Sequence, residues 1–377
     1  MRVLTGSSDL VDIKEACCQA CESFLHLKPE LILFFVDSER LELFSSILAT
    51  MFPDSTIVGS SVYASFIPQA NSARGIKIAA FIDGIKVKSG VIHDIERYPS
   101  LHADVIKEAT DFIAPTELGQ RRVGCIMFAP AGLAAEEMVL DAFNEVLEPL
   151  HIPLFGGSSS AQQDVRGKVA LNGKAYEKSA VFFIFELEDT IFYRYQENIF
   201  QPSGKRFLVT KADVETRTLY ELDGHPAHEV LCRALDVTRE ELPRALESHP
   251  FGRTYGSKLF ATVVESIDED GTITTLSRLY NQTEIELLGL VDMDKEKRKT
   301  FEDLHKLLKR MDFSLVLTSD KRVVMLEKAG IFRENKEFLD AGLGPYIGAT
   351  SHGQYLDDYV INMSLIILAI GEKNEDK

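Results

Sequence analysis

The sequence predicts an α/β fold with mixed parallel and antiparallel sheets, covered by helices and arranged as two related halves. Three observations carry this. One order of elements (apolar strand, polar turn, helix, short apolar strand, then a Gly/Ser/Thr turn) occurs three times, over residues 31–65, 122–162 and 313–354. The strands in these units are continuous apolar runs, as expected of strands covered on both faces. Between the units lie alternating runs split by Asp-Gly or Asn-Gly, which mark antiparallel hairpins.

The elements follow from spacing. In the first unit Leu41, Phe44, Leu48 and Met51 share one helical face, with Asp37 or Ser38 placed to cap it. In the second, Val139, Phe143, Val146 and Leu147 form a similar stripe that ends before Pro149. A strand, helix and strand in that order imply a crossover and parallel pairing. Hairpins are expected at Asp83-Gly84, Asn172-Gly173, Asp223-Gly224 and Asp270-Gly271, and a helix is expected to start at Pro226. Residues 292–312 read as a charged amphipathic helix with Phe301, Leu304 and Leu307 or Leu308 inward. The run from Asp357 to Lys373 supplies the last long strand.

The 377 residues are 45% hydrophobic and 26% charged, enough for a sizeable core without staples. A net charge of −17 disfavours nucleic acid and anionic lipid as partners. No basic stretch leads into an apolar segment at the start, and Val360–Gly371 is too short to span a bilayer. A soluble, cytoplasmic protein is expected. Five cysteines, three of them in Cys17-Cys18-Gln19-Ala20-Cys21, do not make a secreted disulfide framework. They read as buried core thiols, with redox activity as the alternative.

Three Gly-Ser segments are the main candidates for a site: Gly59, Ser60 and Ser61; Gly156, Gly157, Ser158 and Ser159; and Thr350, Ser351, His352 and Gln354. Glycine permits tight turns whose N–H and hydroxyl groups are free donors, and turns at strand ends of α/β folds commonly face a ligand crevice. None matches a dinucleotide fingerprint, a phosphate loop or a nucleophile elbow, so an enzyme is not expected. His225 and His228 have metal-pair spacing but no third ligand in register, and His151 reads as structural. His352 stands out as an imidazole among small polar residues, able to bind a metal or donate a hydrogen bond.

The order and spacing of several segments resemble the FIST sensory domain family: "STIVGSS", "IPLFGGSSS", "LYELDGHPAHEVL", "SLVLTSDKRVVML" and "GPYIGATSHGQYLDDYVINMSLIILAI". The resemblance implies an N-terminal FIST domain over 1–216 and a C-terminal one over 217–377. The family's closing motif is typically aromatic-Thr-x-Gly-Glu. Here it reads Ala349-Thr350-Ser351-His352-Gly353-Gln354, with an amide in place of the acid. The resemblance implies a small-molecule sensor in intracellular signal transduction, with amino acids proposed as ligands. In one branch it implies haem, nitric-oxide sensing and a partner histidine kinase of a two-component system. That branch makes His352 the candidate axial ligand. A ligand-free interaction scaffold is the alternative reading, and an enzyme using the Gly-Ser turns is the third.

Overall fold

Each of the three strand–helix–strand units folds as a parallel strand pair, because an apolar run on either side of an amphipathic helix can bury both its faces. The computed structural model describes residues 1–68, 70, 72–160, 167–255 and 258–374. It forms two units: Met1–Gln196 with Lys299–Val360 and Leu365–Lys377, and Glu197–Arg298 with Ile361–Ser364. The boundary expected near Arg217 falls in a hairpin of the second unit.

The first repeat holds β1 (Arg2–Ser8), α1 (Ile13–Cys21), β2 (Leu31–Val36), α2 (Leu41–Met51), β3 (Thr56–Ser61), β4 (Ser65–Phe66), β5 (Ile76–Asp83) and β6 (Ile85–Ile92). The next holds α3 (Ala103–Glu108), β7 (Val123–Ala129), α4 (Glu136–Leu147), β8 (Leu154–Ser158), β9 (Val169–Leu171), β10 (Lys174–Tyr176), β11 (Ala180–Leu187) and β12 (Ile191–Glu197). The second unit then contributes β13 (Phe200–Asp213), β14 (Thr218–Leu222), β15 (His225–Pro226), α5 (Ala227–Leu235), α6 (Leu242–Ser248), β16 (Phe251–Tyr255), β17 (Lys258–Thr262), β18 (Val264–Ile267), β19 (Ile273–Thr275) and β20 (Glu284–Leu290). These strands form a single sheet over a core built on Val209, Leu219, Leu231, Leu246 and Leu287. The third repeat follows: α7 (Met293–Leu307), β21 (Leu308–Ser319), α8 (Asp320–Lys328), α9 (Phe332–Gly342), β22 (Tyr346–Ser351), β23 (Gln354–Leu356), β24 (Tyr359–Ile361) and β25 (Leu365–Lys373). In α7 Leu304 faces inward and Leu307 outward; the helix expected to run to residue 312 ends at Leu307, and the buried Leu308 is already the first residue of β21.

In the first unit the sheets run β1-β5-β2-β3-β9-β10, β24-β23-β8-β7-β11-β6 and β12-β25-β21-β22-β4. The three orders are equivalent. A parallel pair (β2/β3, β7/β8 or β21/β22) lies at the centre, with a long antiparallel strand beside it. The strand that extends each sheet beyond the pair comes from a different repeat. β9 of the second pairs with β3 of the first, β23 of the third with β8 of the second, and β4 of the first with β22 of the third. The exchange closes on itself.

Three of the four expected hairpins form, at Asn172-Gly173, Asp223-Gly224 and Asp270-Gly271. The fourth does not. Gly84 turns the chain at φ 79°, but β5 is already flanked by β1 and β2, so β6 leaves to pair with β11 in the next sheet. The expected last long strand is likewise interrupted at 362–364, where Met363 takes φ 55°.

Alternation assigns the two faces of each central strand. Ile32, Phe34 and Val36 pack under α1 and α2, Cys125 and Met127 under α4, and Val316 under α7 and α9. The other faces meet one another. Phe35 packs edge-on to Phe128 at 5.8 Å, and Phe81 to Phe313 at 4.8 Å. Leu31, Leu33, Ile126, Phe183 and Leu315 surround a void of about 10 Å³, too small for any ligand. Cys17 and Cys21 are buried in the first core and Cys18 is exposed; all five cysteines are free thiols. Among the described residues no helix is long and apolar enough to cross a membrane.

Candidate functional site

The first two Gly-Ser segments are not turns: β3 runs through the one and β8 through the other as far as Ser158, because each strand has a hydrogen-bonding neighbour on both sides. In the third, β22 extends to Ser351, and His352 and Gly353 then form the bend that leads into β23. The glycines serve close approach. A Cβ on Gly59 would sit 2.1 Å from the ring of Phe34, and one on Gly348 would sit 1.9 Å from the ring of Phe66. Gly59, Gly156 and Gly348 occupy equivalent places, opposite Phe34, Met127 and Val316.

Beyond these glycines the three strand ends converge, and their hydroxyls form one ordered chain. Tyr63 N–H donates to Ser160 Oγ at 2.9 Å. Ser160 Oγ lies 2.7 Å from Thr350 Oγ1, and Thr350 Oγ1 donates to the Ala64 carbonyl at 3.1 Å. Ala64 N–H returns a bond to Thr350 Oγ1 at 2.9 Å, and Thr350 N–H also donates to the Ala64 carbonyl, at 2.8 Å. The peptide Tyr63–Ala64, from the first repeat, is thus clamped by a serine of the second and a threonine of the third. Every donor has an acceptor, as a buried network requires.

The other expected site residues surround this clamp and are buried. Ser61 Oγ accepts from Lys168 N–H at 2.9 Å, and Ser159 Oγ accepts from Ala131 N–H at 3.1 Å. Ser158 Oγ lies 2.5 Å from the Tyr355 hydroxyl. Ser351 Oγ donates to the Gly353 carbonyl at 2.5 Å, and Gly157 faces Ser351 so closely that a Cβ would meet its Oγ at 2.3 Å. Ser60 is buried beside them. Gln354 donates through Nε2 to the Ser351 carbonyl at 3.1 Å, while its Oε1 is buried without a partner among the described residues.

His352 is the partly exposed member. Its Nδ1 lies 3.0 Å from Asp320 Oδ2 at the start of α8. Its backbone N–H donates to the Ser158 carbonyl at 3.2 Å, and one ring nitrogen is taken by Asp320; a porphyrin needs broad apolar cover, which this polar set does not supply. Among the described residues no group of three His, Cys, Asp or Glu is placed to hold a metal ion. His228 instead packs over Gly271 in the second unit.

An open cleft of about 400 Å³ lies at the carboxyl ends of β2 and β3, where α/β folds commonly bind ligands. Its walls are Asp37–Arg40, Val62–Ser65 and Ala73–Gly75. None of the eleven expected site residues lines it; of them, Thr350 holds its wall, through the bonds to Ala64. Arg40 is engaged by Asp37 at 2.5 Å. The Arg74 guanidinium lies 4.4 Å from the centre of the Tyr63 ring and donates to the Tyr63 carbonyl at 3.1 Å. The Tyr63 hydroxyl donates to Glu327 of α8 at 3.3 Å. Beneath, Lys77 is 1% exposed and donates to the Arg74 carbonyl at 2.7 Å, with Asp9 3.7 Å away. Burial lowers its pKa, against the pull of Asp9.

The cleft residues escaped sequence reasoning. Arg74 and Ser65 belong to no periodic pattern, and Tyr63 reads as ordinary loop. Ser160 was visible as the last serine of "FGGSSS", but its reach to Thr350 is a fact of topology.

The family model of the FIST N domain matches residues 30–225, just over half of the chain. That span takes in the first repeat from β2 onward, the second repeat, the cleft and the Tyr63–Ser160 half of the clamp. No curated protein matches the chain.

Proposed function

Since the chain belongs to the FIST family of sensory, ligand-binding signal-transduction domains, we propose that it senses a small polar molecule held in the cleft beside Tyr63. One observation carries this reading. The wall of the cleft, Tyr63–Ala64, is the same peptide that Ser160 and Thr350 clamp. A ligand that shifts this wall must alter hydrogen bonds in all three repeats at once, and Tyr63 also touches α8 through Glu327. Differential contact with two states of a bistable element is what a sensor needs. No catalytic constellation is required.

The scaffold alternative expects strand ends packed shut and no cleft joining the two halves. The strand ends are indeed shut, which favours it in part, but the cleft beside them favours a ligand.

Native mass spectrometry of the purified protein, followed by hydrogen exchange with and without the captured molecule, tests the proposal. Slower exchange is expected at 62–65 together with 346–351. A footprint away from both segments would remove the cleft as the sensory site. An absorption spectrum with a Soret band lost in His352→Ala would replace this reading by the haem branch. A histidine kinase as output is what the family resemblance supplies. Co-purification with such a partner should change when the captured molecule is stripped, and an unchanged yield counts against it.

A further inference from the structure

We propose that the cleft recognises its ligand through a singly charged carboxylate, gripped by Arg74 and Ser65; this rests on the sensory reading above. The geometry of Arg74 is the first reason. Its guanidinium is held flat against Tyr63, with one N–H spent on the Tyr63 carbonyl. No carboxylate among the described residues pairs with it. Guanidinium offers five coplanar donors, so a fork of N–H groups stays available to match the two oxygens of a carboxylate.

Ser65 is the second and independent reason. It is 1% exposed, lies on the cleft wall, and its Oγ has no partner among the described residues. A buried hydroxyl left unpaired costs stability unless something accepts or donates there. The Oγ is sealed in this state, so a ligand oxygen completes it as the wall shifts, the movement the sensory reading requires.

Charge chooses between anions. Arg40 is already engaged by Asp37, and Glu39 has no ion pair among the described residues. Two carboxylates, Asp37 and Glu39, thus share the cleft with two guanidiniums, Arg40 and Arg74, and the chain carries −17 overall. A monoanion is tolerated there, while a phosphate dianion meets repulsion, since among the described lining residues Arg74 is the cation without a carboxylate partner. Val62, Ala64 and Ala73 supply apolar wall for the body of the ligand.

The test is saturation-transfer NMR on the full chain. The probes are small aliphatic and aromatic monocarboxylates, each beside its primary amide, and inorganic phosphate. A carboxylate is expected to bind where its amide does not. In Arg74→Gln the Kd should rise about tenfold, with Arg74→Lys recovering little because a point charge lacks the fork. Ser65→Ala should cost about threefold, one neutral hydrogen bond. Arg74 is exposed, so its variants should keep the wild-type melting temperature. No binding by any carboxylate, equal binding by the amides, equal competition by phosphate, or an Arg74→Gln Kd within twofold each overturns the inference. A captured molecule whose footprint covers 62–65 but which carries no carboxylate would overturn it and leave the sensory reading standing. A footprint elsewhere would remove both.

Discussion

Tyr63 and His352 stand at the same place in two repeats, each four residues beyond its repeat's glycine, yet their surroundings are opposite. His352 turns inward to Asp320 and closes its strand end. Tyr63 carries Arg74 on its ring and opens onto a cleft. A buried lysine marks the same contrast. Lys77 sits opposite Phe35, while the equivalent partners of Phe128 and Leu317 are Val181 and Ile366. One backbone plan thus carries one polar, open end and one sealed end. The difference teaches that function here was placed by substituting a few side chains around a shared frame, since the frame itself is held by the clamp that all three ends share.

The comparison can be broken at the clamp first. Thr350→Val keeps shape but strands the Ala64 N–H, while the Ser160 hydroxyl can still donate to the backbone carbonyl of residue 350 at 3.3 Å. A loss of about 2 kcal/mol is expected from one buried unpaired group, read by urea unfolding. Amide exchange should quicken at Tyr63 and Ala64, in a different repeat from the substituted residue. A loss below about 0.5 kcal/mol would mean the clamp is geometric and not energetic.

The glycines come next. Gly348→Ala drives a methyl into Phe66, a ring from another repeat, and about 1–3 kcal/mol is expected from overpacking. Gly59→Ala meets Phe34 of its own sheet and should cost a similar amount. Adding Phe66→Leu should recover stability only in the Gly348 variant. Equal recovery in both would contradict the strand exchange.

Lys77→Ile makes the first repeat resemble the third. At neutral pH it should stabilise the fold by about 1 kcal/mol, since a buried charge is replaced by apolar volume. The sign with pH follows from linkage. The folded-state pKa of Lys77 is lowered below the ordinary 10.5, so the unfolded chain holds more protons in that window. Wild-type stability therefore rises with pH between the depressed value and 10.5, and the advantage of the variant should shrink there. A gap constant from pH 7 to 10 would refute the assignment. The smallest effect is expected from His352→Gln. It should lose less than about 1 kcal/mol, as a partly exposed pair does, and carboxylate Kd should stay within about twofold.

Much of this frame was legible in the sequence. Leu41, Phe44 and Leu48 announced α2, and Val139, Phe143 and Leu147 announced α4, because helical burial is periodic. The repeat itself was legible because its strands are apolar on both faces. The turn at Asp83-Gly84 was read correctly as a turn and wrongly as a hairpin, since local chemistry reverses a chain without saying which sheet receives it. The Gly-Ser segments were located but taken as exposed. Small polar residues do favour turns, yet here their hydroxyls satisfy one another across repeats, which no single window of sequence contains. The cleft was missed for the same reason: Arg40, Ser65 and Arg74 meet only after folding.

The closed strand exchange has a consequence for how the chain can be cut and how it must fold. β4 is synthesised early, but its partner β22 begins at Tyr346, and β8 waits for Gln354. No N-terminal piece can complete its hydrogen bonding while it leaves the ribosome, so folding should be late and slow, as non-local pairing dictates. A fragment trimmed to residues 30–225 would keep the cleft-forming segments but lack β1, β22 and β23. It would expose β5 and β8 as bare edges that invite aggregation.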